Sequence, residues 1–352
     1  IMDLKKIKFI SIPKDNSISS ALKKMDENLR KVLLVFNNDI FYSLISIGDI
    51  QRAIINNIPL SAPISKALRS EIDVSYEGEP RELLKKRMIK GRAELMPILN
   101  KKGVLIDVVL WEELFPKKMI PKKKMNLPIV IMAGGKGTRM KPITNVIPKP
   151  LIPINDKTIL EEIMDRFVAF GSKDFFISIN YKANTIKHYF DQLENKVYNI
   201  NFFQEDKPLG TAGSLFLIKN KIKSTFIVSN CDIIIEEDYS EIVKFHKNNS
   251  NEMTIVSAVK NYPISYGVVE TKAGGVLKSL KEKPELTFQI NSGMYILEPH
   301  LMNEIPKNKF FHITDLINLI QNRKGKIGVF PVSEGSWKDI GTWEEYLEFI
   351  NK

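Results

Sequence analysis

The chain has 352 residues, a net charge of +11 and one cysteine, Cys231. At about 100–200 residues per domain that length predicts two or more domains, and a lone cysteine excludes both an internal disulfide framework and a site built from several cysteines. No apolar run reaches the ~18 residues needed to span a bilayer and the amino-terminus lacks a signal-peptide core, so a cytoplasmic protein with no membrane partner is the expectation.

In chain order, the first third repeats itself. Helical spacing over 17–28 (Ile18, Leu22, Met25) precedes a strand at 31–36, a turn at 37–39, a strand at 41–45 and a helix at 49–56. A second copy follows as a helix at 81–90, strands at 94–99 and 104–110 around a turn at 100–103, and a helix starting at 111–114. This repeat resembles a tandem pair of CBS domains over residues 1–115, and the segment from Leu44 to Ile54 is similar to that family's strand-to-helix junction. The resemblance implies that Ser46 and Asp49 contact the ribose of an adenine nucleotide. Ser46 and Asp49 read equally well as the cap of the following helix. The second copy departs from the pattern, since Asp107-Val108-Val109-Leu110 offers no hydroxyl residue followed by Asp three positions on.

The densest basic run (Lys117, Lys118, Lys122, Lys123, Lys124) lies among Pro116, Pro121 and Pro128 and reads as a solvated linker over 116–126. It has no zinc finger or interleaved aromatics beside it, which argues against a nucleic-acid partner.

From 127 to 352 strands and helices alternate as in a doubly wound α/β sheet. The apolar run 128–132 reads as a buried strand that empties into Ala133-Gly134-Gly135-Lys136-Gly137-Thr138-Arg139. Glycines let the main chain approach a phosphate, and Thr138, Arg139 and Lys149 add donors and charge. The spacing fits neither the dinucleotide fingerprint nor the G-x-x-x-x-G-K-[ST] loop; a plain surface turn is the alternative. A helix at 158–170, a strand at 174–179, a helix at 184–192 and a strand at 197–203 follow. Next comes a second glycine turn at Gly210-Thr211, running into a helix, which is either a binding loop for a base or sugar edge or a simple helix entry. A strand at 225–229 delivers Asp232 to the carboxyl end of the sheet, where a carboxylate binds Mg²⁺ or caps the next segment. A smaller cluster of strands is predicted at 253–258, 266–271, 276–281 and 288–297. Glu282 and Asn291, the latter close to Gly293, suit sugar hydroxyls, and Lys283 suits a phosphate; Glu282-Lys283-Pro284 also reads as an exposed turn. Finally Asp339, a second candidate carboxylate, precedes Thr342, the N-cap of a last helix at 343–350.

In this order the glycine turn, Pro148-Lys149-Pro150-Leu151, the Gly210 turn, Asp232, Glu282-Lys283-Pro284, Asn291-x-Gly293 and Asp339-x-Gly341-Thr342 resemble the sugar-1-phosphate nucleotidyltransferases. The 208–213 segment looks most like the guanylyl-transferring members. With a CBS pair in front, the chain further resembles guanylyltransferases of legionaminic acid biosynthesis, whose sugar substrate is glucosamine-1-phosphate. The resemblance implies a Rossmann-like domain with a mixed, mostly parallel sheet, and an enzyme acting on an NTP, most simply GTP, and a sugar-1-phosphate. It implies Mg²⁺ on Asp232 and Asp339. The nucleotide would lie on Ala133, Gly134, Gly135, Gly137, Thr138, Gly210 and Thr211, with Arg139, Lys149 and Lys283 on phosphates and Glu282, Asn291 and Gly293 on the sugar. Uridylyl or thymidylyl transfer, or a non-catalytic CBS sensor, are the alternatives, and a homo-oligomer formed through either domain is expected.

Overall fold

In the computed structural model the described residues are 4–116, 119–194 and 197–351, so Lys117 and Lys118 of the basic run lie outside them. The chain divides into two compact units, Ile1–Lys122 and Lys123–Lys352. Among the described residues no helix is long and apolar enough to cross a membrane.

One order of elements occurs twice in the N-terminal unit. Ser11–Pro13, Ile18–Glu27, Val32–Asn37, Ile40–Ser46 and Ile47–Ile55 form strand, helix, two strands and helix; Ser75–Tyr76, Arg81–Gly91, Leu95–Leu99, Leu105–Leu110 and Trp111–Leu114 repeat them. In each copy the first strand is parallel to the second and the second antiparallel to the third. Leu34 and Leu44 of one copy share a buried cluster with Leu95, Leu99, Leu105 and Val108 of the other. Neither copy buries its apolar face alone, which is what a tandem repeat requires. The opening strand of each copy was not expected, because two or three residues are too few to show a period.

The C-terminal unit is built on one sheet of seven strands: β1 (Ile129–Met132), β2 (Asp174–Ile179), β3 (Asn199–Gln204), β4 (Phe226–Asn230), β5 (Met253–Pro263), β6 (Glu285–Leu297) and β7 (Ile327–Ser333). Their spatial order is β3-β2-β1-β4-β6-β5-β7. Only β6 runs against its neighbours, so the sheet is mixed and mostly parallel. β1 lies inside the sheet between β2 and β4, with Ile129, Val130 and Ile131 all buried, as a strand covered on both faces must be.

The expected smaller cluster of strands is corrected. β5 and β6 are longer than their apolar stretches and belong to the main sheet, while Val268–Thr271 and Leu277–Lys281 alone make a separate two-stranded ribbon. The inner halves of β5 and β6 are buried and their distal ends run out into solvent, so only the inner halves carried an apolar signal. A further two-stranded sheet pairs Ile233–Ile235 with Trp337–Asp339, which brings segments about a hundred residues apart side by side. Helices Ile159–Ala169 and Trp343–Ile350 begin with capping boxes, Thr158 with Glu161 and Thr342 with Glu345.

Candidate functional site

The glycine turn leaves β1 at the carboxyl end of the sheet. Ala133 is buried and its N–H still pairs with the Ser178 carbonyl at 3.0 Å, so it closes the strand. Among the described residues the backbone N–H groups of Gly135, Lys136 and Gly137 donate to no protein acceptor. Gly135 has open space where a Cβ would stand. Gly137 adopts φ +63°, and a Cβ there would lie 2.9 Å from Thr144 Cγ2 and 3.1 Å from Lys149 Cβ, so both conformation and space demand glycine. Unpaired donors on a turn held in a left-handed conformation form a concave anion cradle.

Lys149 opens the short 3₁₀ turn Lys149–Leu151, is 6% exposed, and gives its ammonium to Asp232 Oδ2 at 2.6 Å. Burying an ammonium without a partner costs several kcal/mol, so this contact fixes both groups. Arg139 is mostly exposed and its guanidinium stands 3.9 Å from the same oxygen. Asp232 follows β4, and its carbonyl accepts the Ile340 N–H at 2.8 Å, which ties it to the strand carrying Asp339. The carboxylate Oδ1 of Asp339 is buried with no hydrogen-bond partner among the described residues. Burial, then the nearby Asp232 carboxylate, push the Asp339 carboxyl up to about 6, against the opposing pull of Lys149 and Arg139. Gly341 completes the arrangement, because a Cβ there would lie 2.7 Å from Asp339 Oδ1 and 2.9 Å from the Arg139 guanidinium.

An orphaned carboxylate oxygen beside a second carboxylate, with a glycine keeping the space open, fits a hard divalent cation that completes its shell with phosphate oxygens. Asp232 and Asp339 are the residues that would hold it.

The remaining predicted residues are placed as follows. Thr138 is exposed and starts the 3₁₀ turn Thr138–Met140 that carries Arg139. Glu282 and Lys283 are exposed between the ribbon and β6, Lys283 at φ +43°, and the Glu282 carboxylate lies beside Gly267. No contact joins them to Asp232 or Lys149 among the described residues. Asn291 accepts the N–H of buried Gly293, which adopts φ +85° and whose missing Cβ leaves room for Asn230 Nδ2. Gly210 and Thr211 sit in a helix of one turn, Gly210–Gly213. The N–H groups of Ala212 and Gly213 go to the Phe311 carbonyl at 3.0 and 2.9 Å, and Thr211 Oγ1 accepts the Ile313 N–H. That turn is therefore braced against the 309–313 segment. In the N-terminal unit Ser46 and Asp49 form a capping box, and the fully buried Asp49 carboxylate also pairs with Arg52 and Arg69.

Two features were not singled out from the sequence. Glu205 is a buried carboxylate between the two glycine turns: it accepts the Ser178 hydroxyl and the Leu209 N–H, and its Oε1 lies 3.1 Å from the position of a Gly134 Cβ. It follows the edge strand Asn199–Gln204, whose residues are mostly exposed or half-buried, so no buried-strand pattern marked it in the sequence. Tyr181 and Lys182 bond to carbonyls of the 144–146 segment, a role that no residue pattern announces.

The Asp339 shift has a consequence for stability. An unfolded Asp titrates near 3.8, so between that pH and about 6 the folded chain binds more protons than the unfolded one. Stability therefore falls as pH rises through this window, and the penalty is complete above it. Solvent screening at this partly open position reduces the effect to about 1 kcal/mol. With chelator present, Asp339→Asn is expected to raise the melting temperature at pH 8 by about 2–4 °C and to leave it unchanged at pH 4; equal melting temperatures at both pH values would refute the placement of this charge.

Residues 129–352 match the family model described as nucleotidyl transferase. The mannose-1-phosphate guanyltransferase of Schizosaccharomyces pombe is 33% identical over 227 residues, which cover 62% of each chain. Mannose-1-phosphate guanylyltransferase 1 of Arabidopsis thaliana is 32% identical over 227 residues with the same coverage. The match thus spans 62% of the length of these curated relatives. Among solved structures, HddC from Yersinia pseudotuberculosis is 28% identical with a TM-score of 0.51, covering 64% of this chain and 98% of that one. With the family match extending over the whole seven-stranded sheet and every residue of the anion site, this chain belongs to the nucleotidyl transferase family.

Proposed function

We propose that the chain transfers a guanylyl group from GTP to a sugar-1-phosphate, releasing pyrophosphate. The observation that carries this reading is the convergence of Lys149, Arg139, Asp232 and Asp339 beside a turn with three unpaired N–H groups. A sugar phosphate oxygen is an anion at neutral pH and needs no general base. It forms a bond to the α-phosphorus of the nucleotide in line with the α,β-bridging oxygen, the bond from the α-phosphorus to that bridging oxygen breaks, and pyrophosphate leaves with its electron pair. The barrier is the repulsion between two anions and the charge of the transition state, so positioning and neutralisation are the catalytic means.

The Gly135–Gly137 amides and Arg139 bind the β- and γ-phosphates in this reading. Lys149, held by Asp232, aims at the α-phosphoryl group, and Lys283 approaches the sugar phosphate from the ribbon side. Glu282, Asn291 and Gly293 face the sugar hydroxyls. Mg²⁺ on Asp232 and Asp339, when bound, supplies neutralisation of phosphate charge.

Guanine is favoured by Glu205. A carboxylate accepts only, and guanine presents two adjacent N–H donors on its Watson–Crick edge, whereas uracil and thymine oppose it with carbonyl oxygens. The names of the curated relatives, and the complex of HddC with GMP-PN, support the same base. For the sugar, glucosamine-1-phosphate is the reading that follows from a CBS pair fused in front, and mannose-1-phosphate is the second, favoured by the relatives' names. The N-terminal repeat is read as that CBS pair. An adenine nucleotide there would have to displace Arg52 or Arg69 to reach the Asp49 carboxylate with a ribose hydroxyl.

The test is pyrophosphate release with each of four NTPs against both sugar phosphates, with and without Mg²⁺ and AMP. GTP is expected to support turnover, and Asp232→Asn to abolish it while leaving the circular dichroism spectrum unchanged; near-normal turnover in that variant would overturn the metal assignment. Glu205→Gln is expected to lower kcat/KM for GTP roughly 10-fold or more and to raise it for UTP, because an amide carbonyl and N–H can pair with either base. Unchanged base preference would remove Glu205 from the nucleotide site.

A further inference from the structure

We infer that Tyr181 and Lys182 are positioning residues for the phosphate turn, acting on it from behind through Thr144. The inference rests on the proposed nucleotidyl transfer. The stretch between Gly137 and Lys149 carries the two cations of the site at its ends, and it contains no strand of the main sheet to hold it. Its middle is the 3₁₀ turn Ile143–Asn145. The end of such a turn leaves carbonyls without helical partners. The Lys182 ammonium takes two of them, donating to the Asn145 and Val146 carbonyls at 2.6 Å each, and the Tyr181 hydroxyl donates to the Thr144 carbonyl at 3.1 Å. A cation on these carbonyls is a charge-assisted contact, stronger than a neutral one.

Thr144 passes this hold to the glycine turn. It is 1% exposed, its hydroxyl donates to the Gly137 carbonyl at 2.9 Å, and its methyl fills the space a Gly137 Cβ would occupy. The Tyr181 backbone N–H reaches the Gly134 carbonyl at 3.5 Å, at the other end of the turn. With its carbonyls engaged from behind, the turn keeps the N–H groups of Gly135, Lys136 and Gly137 facing outward. Lys182 itself sits at φ +51°, an uncommon conformation for a residue with a Cβ, at the entry of helix Ala183–Gln192. The loop thus has two anchors: Lys149 on Asp232 in front, and Tyr181 with Lys182 behind.

The test uses the full chain and the NTP and sugar phosphate that support turnover. Lys182→Met and Thr144→Val are expected to lower kcat about 10- to 100-fold, the scale of a misplacement near 1 Å, while the sugar-phosphate KM stays within about twofold. Lys182→Arg and Thr144→Ser, which keep the donors, are expected to recover most of the rate. Melting temperatures are expected to stay within about 3 °C of the parent, the shift of roughly 1 kcal/mol in a domain of this size. A kcat within about twofold of the parent, a KM change of equal size, or no recovery with Arg and Ser would each overturn the inference. Should Lys182→Met fail to fold, Tyr181→Phe carries the same test with the loss of one hydroxyl. If the parent chain turns over no NTP, the proposed function fails and the clamp is read instead from inorganic tripolyphosphate binding, which Lys182→Met is expected to weaken about 10-fold; unchanged affinity would overturn it.

Discussion

The contact on which the site depends is the ion pair between Lys149 and Asp232. It joins the 3₁₀ turn that ends the glycine loop to the segment following the central strand β4. A lysine this deeply buried is stable only with its counter-ion, so the loop cannot lift from the sheet without exposing or stranding a charge. Arg139 and Asp339 lie around Asp232, the first drawn towards it and the second pushed towards protonation by burial and then by the Asp232 carboxylate. Opposite charges are thereby packed with a like-charge pair in one small volume. Such an arrangement is unfavourable for folding, because the protein retains the repulsion between its two carboxylates.

The positions of the candidate ligands follow from the sheet. Three parallel strands, β1, β2 and β4, all end on one side, and the glycine turn, Tyr181 with Lys182, and Asp232 leave from those three ends in adjacent rows. Parallel strands put their carboxyl ends together, which is why residues far apart in the sequence share one end of the sheet. β6, running the other way, brings Asn291 and Gly293 alongside Asn230 at the same end.

Much of this was legible in the chain. Elements with an unbroken apolar run or a strong cap were read to within a residue or two: strand 174–179 and helix 343–350 match their observed bounds, and helix 158–170 its observed N-cap, Thr158. The glycine turn and Asp232 were singled out by their places after apolar strands, with a surface turn or a cap as the alternative at each, and Asp339 by the order of motifs in which it stands. What could not be read depends on three-dimensional neighbours. Lys182 looks like any helix-entry lysine until the carbonyls of Asn145 and Val146 stand beside it. Glu205 looks like an exposed acid in a polar run, and is buried only because the two glycine turns close over it. The Gly210 turn stayed open between a ligand loop and a helix entry, because the partner of its Ala212 and Gly213 N–H groups, Phe311, is a hundred residues away. β5 and β6 were cut short because their distal residues pair with each other in solvent, where neither face selects for apolar side chains.

The small sheet between Ile233–Ile235 and Trp337–Asp339 fixes the order in which this protein matures during synthesis. The phosphate turn, Lys149 and Asp232 all emerge from the ribosome more than a hundred residues before Asp339. A nascent chain at that point already contains Lys149 and Asp232, yet it carries only one of the two carboxylates until the strand Trp337–Asp339 is made. Asp339 is the later of the two acids to arrive, so a chain that stops before Trp337 contains the glycine turn and Asp232 but lacks both the partner strand of Ile233–Ile235 and the second carboxylate.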